Sequence, residues 1–253
     1  MKSKHLKTIL IVAAGLALAC IIGLAVTGWQ IGWGPFAGLF DWDREVAPIV
    51  EKYPVQERQH EVIFYGASNF RLWTEMENDL LSYKVQNHGF GGSTDKLLME
   101  YAPVLLYPYR PDIVFFQTGS NDYVSLSGSD EEKVNSCIAY KREMFAAFHA
   151  QLPDAKFVVM SGLLLPGRAE YTALTQRVNE ELAALCTQVD YLYFVDASEL
   201  TYDGKNYDSG LFLSDGIHLN HEGQLLWRDR YIQPELERLI KEFDLDHLRR
   251  LEG

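Results

Sequence analysis

The sequence predicts an α/β fold, with a mainly parallel five-stranded sheet covered by helices on both faces and an apolar segment in front of it. Three observations predict this. Five short strand-like runs, most of them apolar, alternate with helical patterns from about residue 60 onward, the signature of consecutive βαβ units. The run Ile113–Phe116 is apolar at every position, as a strand buried on both faces must be. Glycine-containing turns follow the first three runs, where a parallel sheet carries its loops.

The chain begins differently. Lys2, Lys4 and Lys7 precede a run from Ile9 to Val26 that holds no charge. Its 18 residues lie near the lower limit for crossing a bilayer of about 30 Å at about 1.5 Å per residue, and exceed the roughly 7–15 of a secretory signal core. Trp29, Trp33, Phe36, Phe40 and Trp42 follow, as an interfacial aromatic belt would. Lysines before the run and Asp41, Asp43 and Glu45 after it place the N-terminus in the cytoplasm and the rest outside. The expectation is an anchor over residues 1–27, a juxtamembrane linker over 28–44 and one folded domain over 45–253. The rival reading is cleavage at Ala17-Leu18-Ala19, with Cys20 next as in a lipoprotein signal, which would leave a secreted or lipid-anchored protein.

Within the domain, Glu61–Tyr65 reads as a strand that ends at a glycine, and Arg71–Ser82 as a helix. Tyr83–Asn87 is a second strand. Thr94–Tyr107 is helical, with Leu97, Leu98, Tyr101, Val104 and Leu105 at helical spacing. Asp112–Gln117 is the third strand, Glu131–Leu152 a long helix stopped by Pro153-Asp154, and Lys156–Met160 the fourth strand. Ala169–Val189 reads as a helix, Tyr191–Val195 as the fifth strand, and Asn220–Phe243 as a last helix with a kink at Pro234.

Bulk properties exclude some functions. Of 253 residues, 47% are hydrophobic and 23% charged, ordinary for a globular chain. The formal net charge of −12 argues against non-specific nucleic-acid binding. Cys20, Cys137 and Cys186 form no disulfide framework and no metal-ligand spacing; one Cys137–Cys186 disulfide in an exported domain is the alternative to the expected buried free thiols, which their helical patterns favour.

Four blocks carry chemistry: Gly66-Ala67-Ser68-Asn69, Gly89-Phe90-Gly91-Gly92, Gly119-Ser120-Asn121-Asp122 and Asp215-Gly216-Ile217-His218. The first three fall after the first three strands, and the fourth precedes the last helix. A parallel sheet therefore gathers all four at its carboxyl rim. Ser68 stands at a helix start, which suits a nucleophile and equally an N-cap. Asp215 and His218 are spaced so that the carboxylate can hold the imidazole while the imidazole takes a proton. Gly92 offers a backbone N–H that a ligand can approach closely, and Asn121 a side-chain NH₂, as oxyanion donors. Trp73, Phe90 and Tyr123 follow the blocks as pocket-lining or core aromatics, with core favoured for Trp73.

On these blocks the chain resembles the SGNH hydrolases, also called GDSL esterases/lipases. Ser68 matches the family's serine, Gly92 its glycine, Asn121 its asparagine, and Asp215 with His218 its last block, over about residues 60–235. The resemblance implies a three-layer, flavodoxin-like α/β/α fold and ester hydrolysis with neither metal nor cofactor. In it Ser68 is the nucleophile, His218 the general base and Asp215 its partner. The oxyanion is held by the N–H groups of Ser68 and Gly92 and the side chain of Asn121. One departure stands out: the usual Gly-Asp-Ser is Gly-Ala-Ser here, with Ala67 for the aspartate. The Gly-Phe-Gly-Gly-Ser stretch resembles a subgroup that often lacks that aspartate. The expected partners are a small ester, an acylated carbohydrate or a lipid substrate, and the membrane through residues 9–26. No nucleic acid and no obligate protein partner are expected. An acyltransferase using the same acyl-enzyme, and a non-catalytic carbohydrate-binding or assembly protein on the same fold, remain the alternatives.

Overall fold

The structure is a computed structural model and describes residues 42–250. The expected anchor over residues 9–26 and most of the expected linker lie outside the described residues. Among the described residues no helix is long and apolar enough to cross a membrane.

Five strands form one parallel sheet: β1 (Val62–Gly66), β2 (Val85–Asn87), β3 (Ile113–Gln117), β4 (Lys156–Met160) and β5 (Leu192–Val195), in the order β2-β1-β3-β4-β5. Their side chains alternate between two cores. Ile63, Tyr65, Val114, Phe116, Phe157 and Val159 enter one. Val62, Phe64, Ile113, Phe115, Val158 and Met160 enter the other, with Phe70, Trp73, Trp227 and Leu236. Burial on both faces explains why β1, β3 and β4 read as apolar runs; β2 (Val-Gln-Asn) and the half-buried β5 lie at the sheet edges.

The first layer of helices comprises α1 (Trp42–Lys52), α4 (Asp95–Leu105), α6 (Asp130–Gln151) and α7 (Thr172–Cys186). α6 starts at a capping box, in which Ser129 and Glu132 satisfy each other's backbone N–H groups. α1 begins three residues inside the expected linker. Val46 is buried, the Trp42 ring meets Phe90 edge to face at 6.3 Å, and Glu45 takes an ion pair from Arg71 at 2.7 Å. The end of that linker thus packs as part of the domain. Cys137 and Cys186 are buried free thiols, both pushed up to about 12 by burial.

The other face carries the short turns α2 (Ser68–Arg71) and α3 (Met76–Asp79), then α8 (His221–Trp227) and α9 (Gln233–Glu242); α5 (Ser120–Ser125) follows β3 at the rim. Two expectations are corrected here. The helix expected over Arg71–Ser82 is broken, because Asn87 Nδ2 donates to Phe70 O at 2.6 Å and to Trp73 O at 3.2 Å. Tertiary donors thus satisfy carbonyls that a helix would have used. The last helix departs from regular winding before Pro234, through a π-helical turn over Arg228–Ile232. Pro234 sits in the first turn of α9, directly after that π-helical turn, so its missing N–H falls where the winding changes.

The strand order reverses between β1 and β3, since β2 lies on one side of β1 and β3 to β5 on the other. Crevices open at such a switch point, beyond the carboxyl ends of the strands. Gly66 and Gln117 are register partners there, and a Cβ on Gly66 would lie 2.2 Å from Gln117 O. Only glycine lets the two strand ends come this close.

Candidate active site

Ser68 opens α2 directly beyond the end of β1. Ala67 has no side chain with which to cap this turn. Backbone bonds do the work: Ala67 N donates to Gln117 O at 3.1 Å, and Ala67 O accepts from Phe70 N and Arg71 N at 3.1 and 3.2 Å. Asn69 adds a tie that sequence reasoning missed, its Oδ1 accepting Leu219 N at 3.0 Å across 150 positions. That bond fastens the serine turn to the histidine segment.

The histidine segment is itself a closed turn. Gly216 has φ +64, the left-handed region that favours glycine. Leu213 N donates to His218 O at 2.8 Å, and Asn220 caps α8 through Gly223 N at 3.0 Å. Asp215 Oδ1 accepts the backbone N–H groups of Ile217 and His218 at 2.8 and 3.0 Å, while Oδ2 meets His218 Nδ1 at 2.7 Å. His218 Nε2 lies 2.8 Å from Ser68 Oγ. A carboxylate only accepts, so Nδ1 carries the proton and Nε2 is left to accept the serine hydroxyl. Burial opposes ionisation of Asp215, but the imidazole and the two backbone N–H groups outweigh it and hold the carboxyl below its ordinary value. The structure therefore joins Ser68, His218 and Asp215 in one hydrogen-bonded chain.

The two donor blocks are tied to each other and to β1. Asn121 Nδ2 donates to Ser93 O at 3.1 Å, and Ser93 Oγ donates to Gly66 O at 3.1 Å. Gly92 has φ +67 and packs under the Trp42 ring, which a Cβ would approach to 3.0 Å. Ser68 and Asn121 line one cavity of about 30 Å³, with Ala67, Gln117, Gly119, Leu163, Leu165 and Ile217. Gly92 does not line that cavity; its neighbour Ser93 is bonded to Asn121, which does. Trp73, Phe90 and Tyr123 are buried core residues; none of them lines the cavity at Ser68. The core reading thus holds for all three, and Trp73 also borders a separate cavity with Arg71, Tyr53 and Asn87.

A buried polar cluster lies behind the donor loops, and sequence reasoning missed it. Asp95 Oδ1 accepts Thr118 Oγ1 at 2.6 Å and Lys141 Nζ at 2.8 Å; Lys141 also reaches Thr118 Oγ1. Asp122 Oδ1 accepts Asp95 N at 2.8 Å, and its Oδ2 is buried without a partner. Burial, then the Asp95 charge, push the Asp122 carboxyl up to about 8 against the pull of Lys141. Asp95 and Lys141 thus connect the loop after β2 to the loop after β3.

The sequence profile of the GDSL-like lipase/acylhydrolase family matches residues 58–226. No curated protein matches the chain. Among solved structures, the fold is similar to a candidate acylhydrolase of Bacteroides fragilis, with a TM-score of 0.65 and 17% identity over 79% of this chain and 99% of that one. It is also similar to a GDSL-like lipase of Bacteroides thetaiotaomicron, with a TM-score of 0.59 and 17% identity over 78% and 98%. A third is a carbohydrate esterase family 3 protein of Talaromyces cellulolyticus, with a TM-score of 0.51 and 19% identity over 73% and 99%. At these identities the likeness is one of fold. The profile match spans most of the chain and contains every block described above, so the chain belongs to the GDSL-like lipase/acylhydrolase family and is a serine hydrolase of ester bonds.

Proposed function

We propose that the chain is a membrane-anchored, extracytoplasmic esterase that cleaves carboxylic esters through Ser68, His218 and Asp215. The observation that carries this reading is the bonded chain from Ser68 Oγ to His218 Nε2 and from His218 Nδ1 to Asp215 Oδ2. Ser68 attacks the acyl carbon while His218 takes its proton, and Asp215 stabilises the imidazolium that forms. The oxyanion is received by the N–H groups of Ser68 and Gly92 and by Asn121 Nδ2. His218 then protonates the leaving alcohol, and water attacks the acyl-enzyme with His218 again as base.

The cavity beside Ser68 supports a short acyl group. Its 30 Å³ is room for about two water-sized groups, by the rule that one water needs roughly 10–15 Å³. An O-acetyl group on a surface or cell-wall carbohydrate suits that space better than a long lipid acyl chain. The charge-free run from Ile9 to Val26 supports tethering at the membrane, with the domain outside.

The test is fluorophosphonate labelling of the purified full chain, located by mass spectrometry, alongside hydrolysis of nitrophenyl esters of increasing acyl length. The expected result is labelling at Ser68, loss of turnover in Ser68→Ala, and kcat/KM that falls steeply beyond acetate and propionate. Equal turnover in parent and Ser68→Ala refutes the mechanism. Protease treatment of intact cells tests the location, and a domain protected until the membrane is opened refutes it.

A further inference from the structure

Arg168 follows β4 in a loop docked against the histidine turn. Gly167 N donates to Gly216 O at 2.8 Å, and a Cβ on Gly167 would lie 2.4 Å from Asp215 O, so the two loops meet backbone to backbone. Arg168 departs from the helical winding around it, with φ −138 and ψ 39. Its half-buried guanidinium turns to α5, where Nη1 donates to Ser120 Oγ and both Nη1 and Nη2 reach Asn121 Oδ1 at 3.3 Å. These partners are all neutral oxygens. Holding a cation this way is costly, and burial accordingly lowers its proton affinity.

The two neighbours of the Asn121 amide leave it a single orientation. A guanidinium only donates, so the atom facing it is Oδ1. The Ser93 carbonyl only accepts, so the atom 3.1 Å from it is Nδ2. One N–H of Nδ2 is thereby spent on Ser93, and the other is free to turn to the cavity that Asn121 shares with Ser68. The positive charge on the amide oxygen draws electron density from the nitrogen and makes that N–H a stronger donor. Arg168 itself does not line the cavity. We infer that Arg168 is a positioning residue for the oxyanion site: it grips Asn121 by its amide oxygen, so that the amide NH₂ faces Ser93 and the serine cavity, and it polarises that NH₂ toward the charge that develops on the substrate.

This inference rests on the esterase reading of Ser68. Its test is a double-mutant cycle on the full chain with nitrophenyl acetate, using Arg168→Met, Asn121→Ala and their combination, with Arg168→Lys beside them. Removing an oxyanion donor outright costs about 10²–10³ in rate, so losing its support is expected to lower kcat about 10-fold or more while KM changes little. In the Asn121→Ala background the same Arg168→Met change is expected to have almost no effect, and Arg168→Lys is expected to recover part of kcat. Equal losses in both backgrounds, or a raised KM with kcat intact, overturn the inference, the latter because it marks direct contact with substrate. Ser68→Ala separates the two claims: if it turns over like the parent, the esterase reading fails. The positioning is then judged by a crystal structure of Arg168→Met. Asn121 swung away from Ser93 O is expected, and an unmoved Asn121 overturns the inference.

Discussion

Replacing Lys141 with methionine removes the cation from the buried cluster behind the donor loops and keeps most of the side-chain volume. Lys141 Nζ sits 2.8 Å from Asp95 Oδ1, with the two side chains 3% and 2% exposed. Without it, the Asp95 carboxylate keeps one hydroxyl partner, Thr118, beside the buried Asp122 carboxyl and with no compensating charge. Breaking a buried pair by deleting one partner costs about 3–5 kcal/mol. For a domain of this size that is a Tm loss of roughly 6–20 °C, at about 2–4 °C per kcal/mol. Urea unfolding of parent and Lys141→Met, followed by circular dichroism, gives the difference directly. The double variant Lys141→Met with Asp95→Asn removes both charges and is expected to regain much of the loss, because the unpaired carboxylate and not the missing attraction carries most of the cost. A single-variant loss under about 1 kcal/mol, or a double variant less stable than Lys141→Met alone, refutes this account.

Asp215→Asn leaves an amide that no longer fixes the Nδ1–H tautomer of His218, and kcat is expected to fall by about 10²–10⁴ with little change in KM, read from steady-state hydrolysis. Asp122 gives a pH signature. Its folded pKa of about 8 stands above its ordinary 3.8, so between those values the native state holds a proton that the unfolded state has lost, and stability falls as pH rises across that window. Asp122→Asn keeps an acceptor for Asp95 N and is expected to flatten this fall when unfolding free energies at about pH 5 and pH 8 are compared; an unchanged slope means that Asp122 is ionised in the native state. Gly66→Ala drives a Cβ to 2.2 Å from a backbone oxygen and is expected to destabilise by about 3 kcal/mol or more in the same unfolding assay.

β1, β3 and β4 were legible because burial on both faces makes them apolar runs, and β2 and β5 because they fall between helical patterns: β4 occupies the expected residues, and the others begin or end within two of them. Elements set by side-chain hydrogen bonds were not. Nothing local in Arg71–Ser82 says that Asn87 will take the carbonyls of Phe70 and Trp73. The convergence of Ser68, Asp215 and His218 was legible because three short blocks fell on strand ends and the fourth stood just before the last long helical stretch. Its supports were not, because each is one polar residue inside an ordinary pattern. Lys141 alone left a trace. With Val134, Cys137, Met144 and Phe148 it lies on the buried stripe of α6, so a lysine at helical spacing among core residues was a buried charge in want of a partner. Arg168 left none, since its place depends on where the Gly216 turn docks.

The change of the family's Gly-Asp-Ser to Gly-Ala-Ser tests how a serine turn is held. An aspartate at position 67 would act locally, capping the turn that carries Ser68. Here the turn is held from outside on three sides. Gln117 O, at the end of β3, accepts the N–H of Ala67, Asn69 Oδ1 accepts Leu219 N from the histidine segment, and Asn87 Nδ2, at the end of β2, donates to Phe70 O. Each of these partners belongs to, or directly adjoins, a segment that supplies another part of the site. A displacement of the serine turn would therefore break contacts to the donor blocks and to His218 together. The cap that Ala67 cannot make is worth about 1 kcal/mol, and three tertiary hydrogen bonds at about 1 kcal/mol each are enough to offset it. Ser68 is thus positioned by the switch point between β1 and β3 and the loops gathered there, and not by a side chain at position 67.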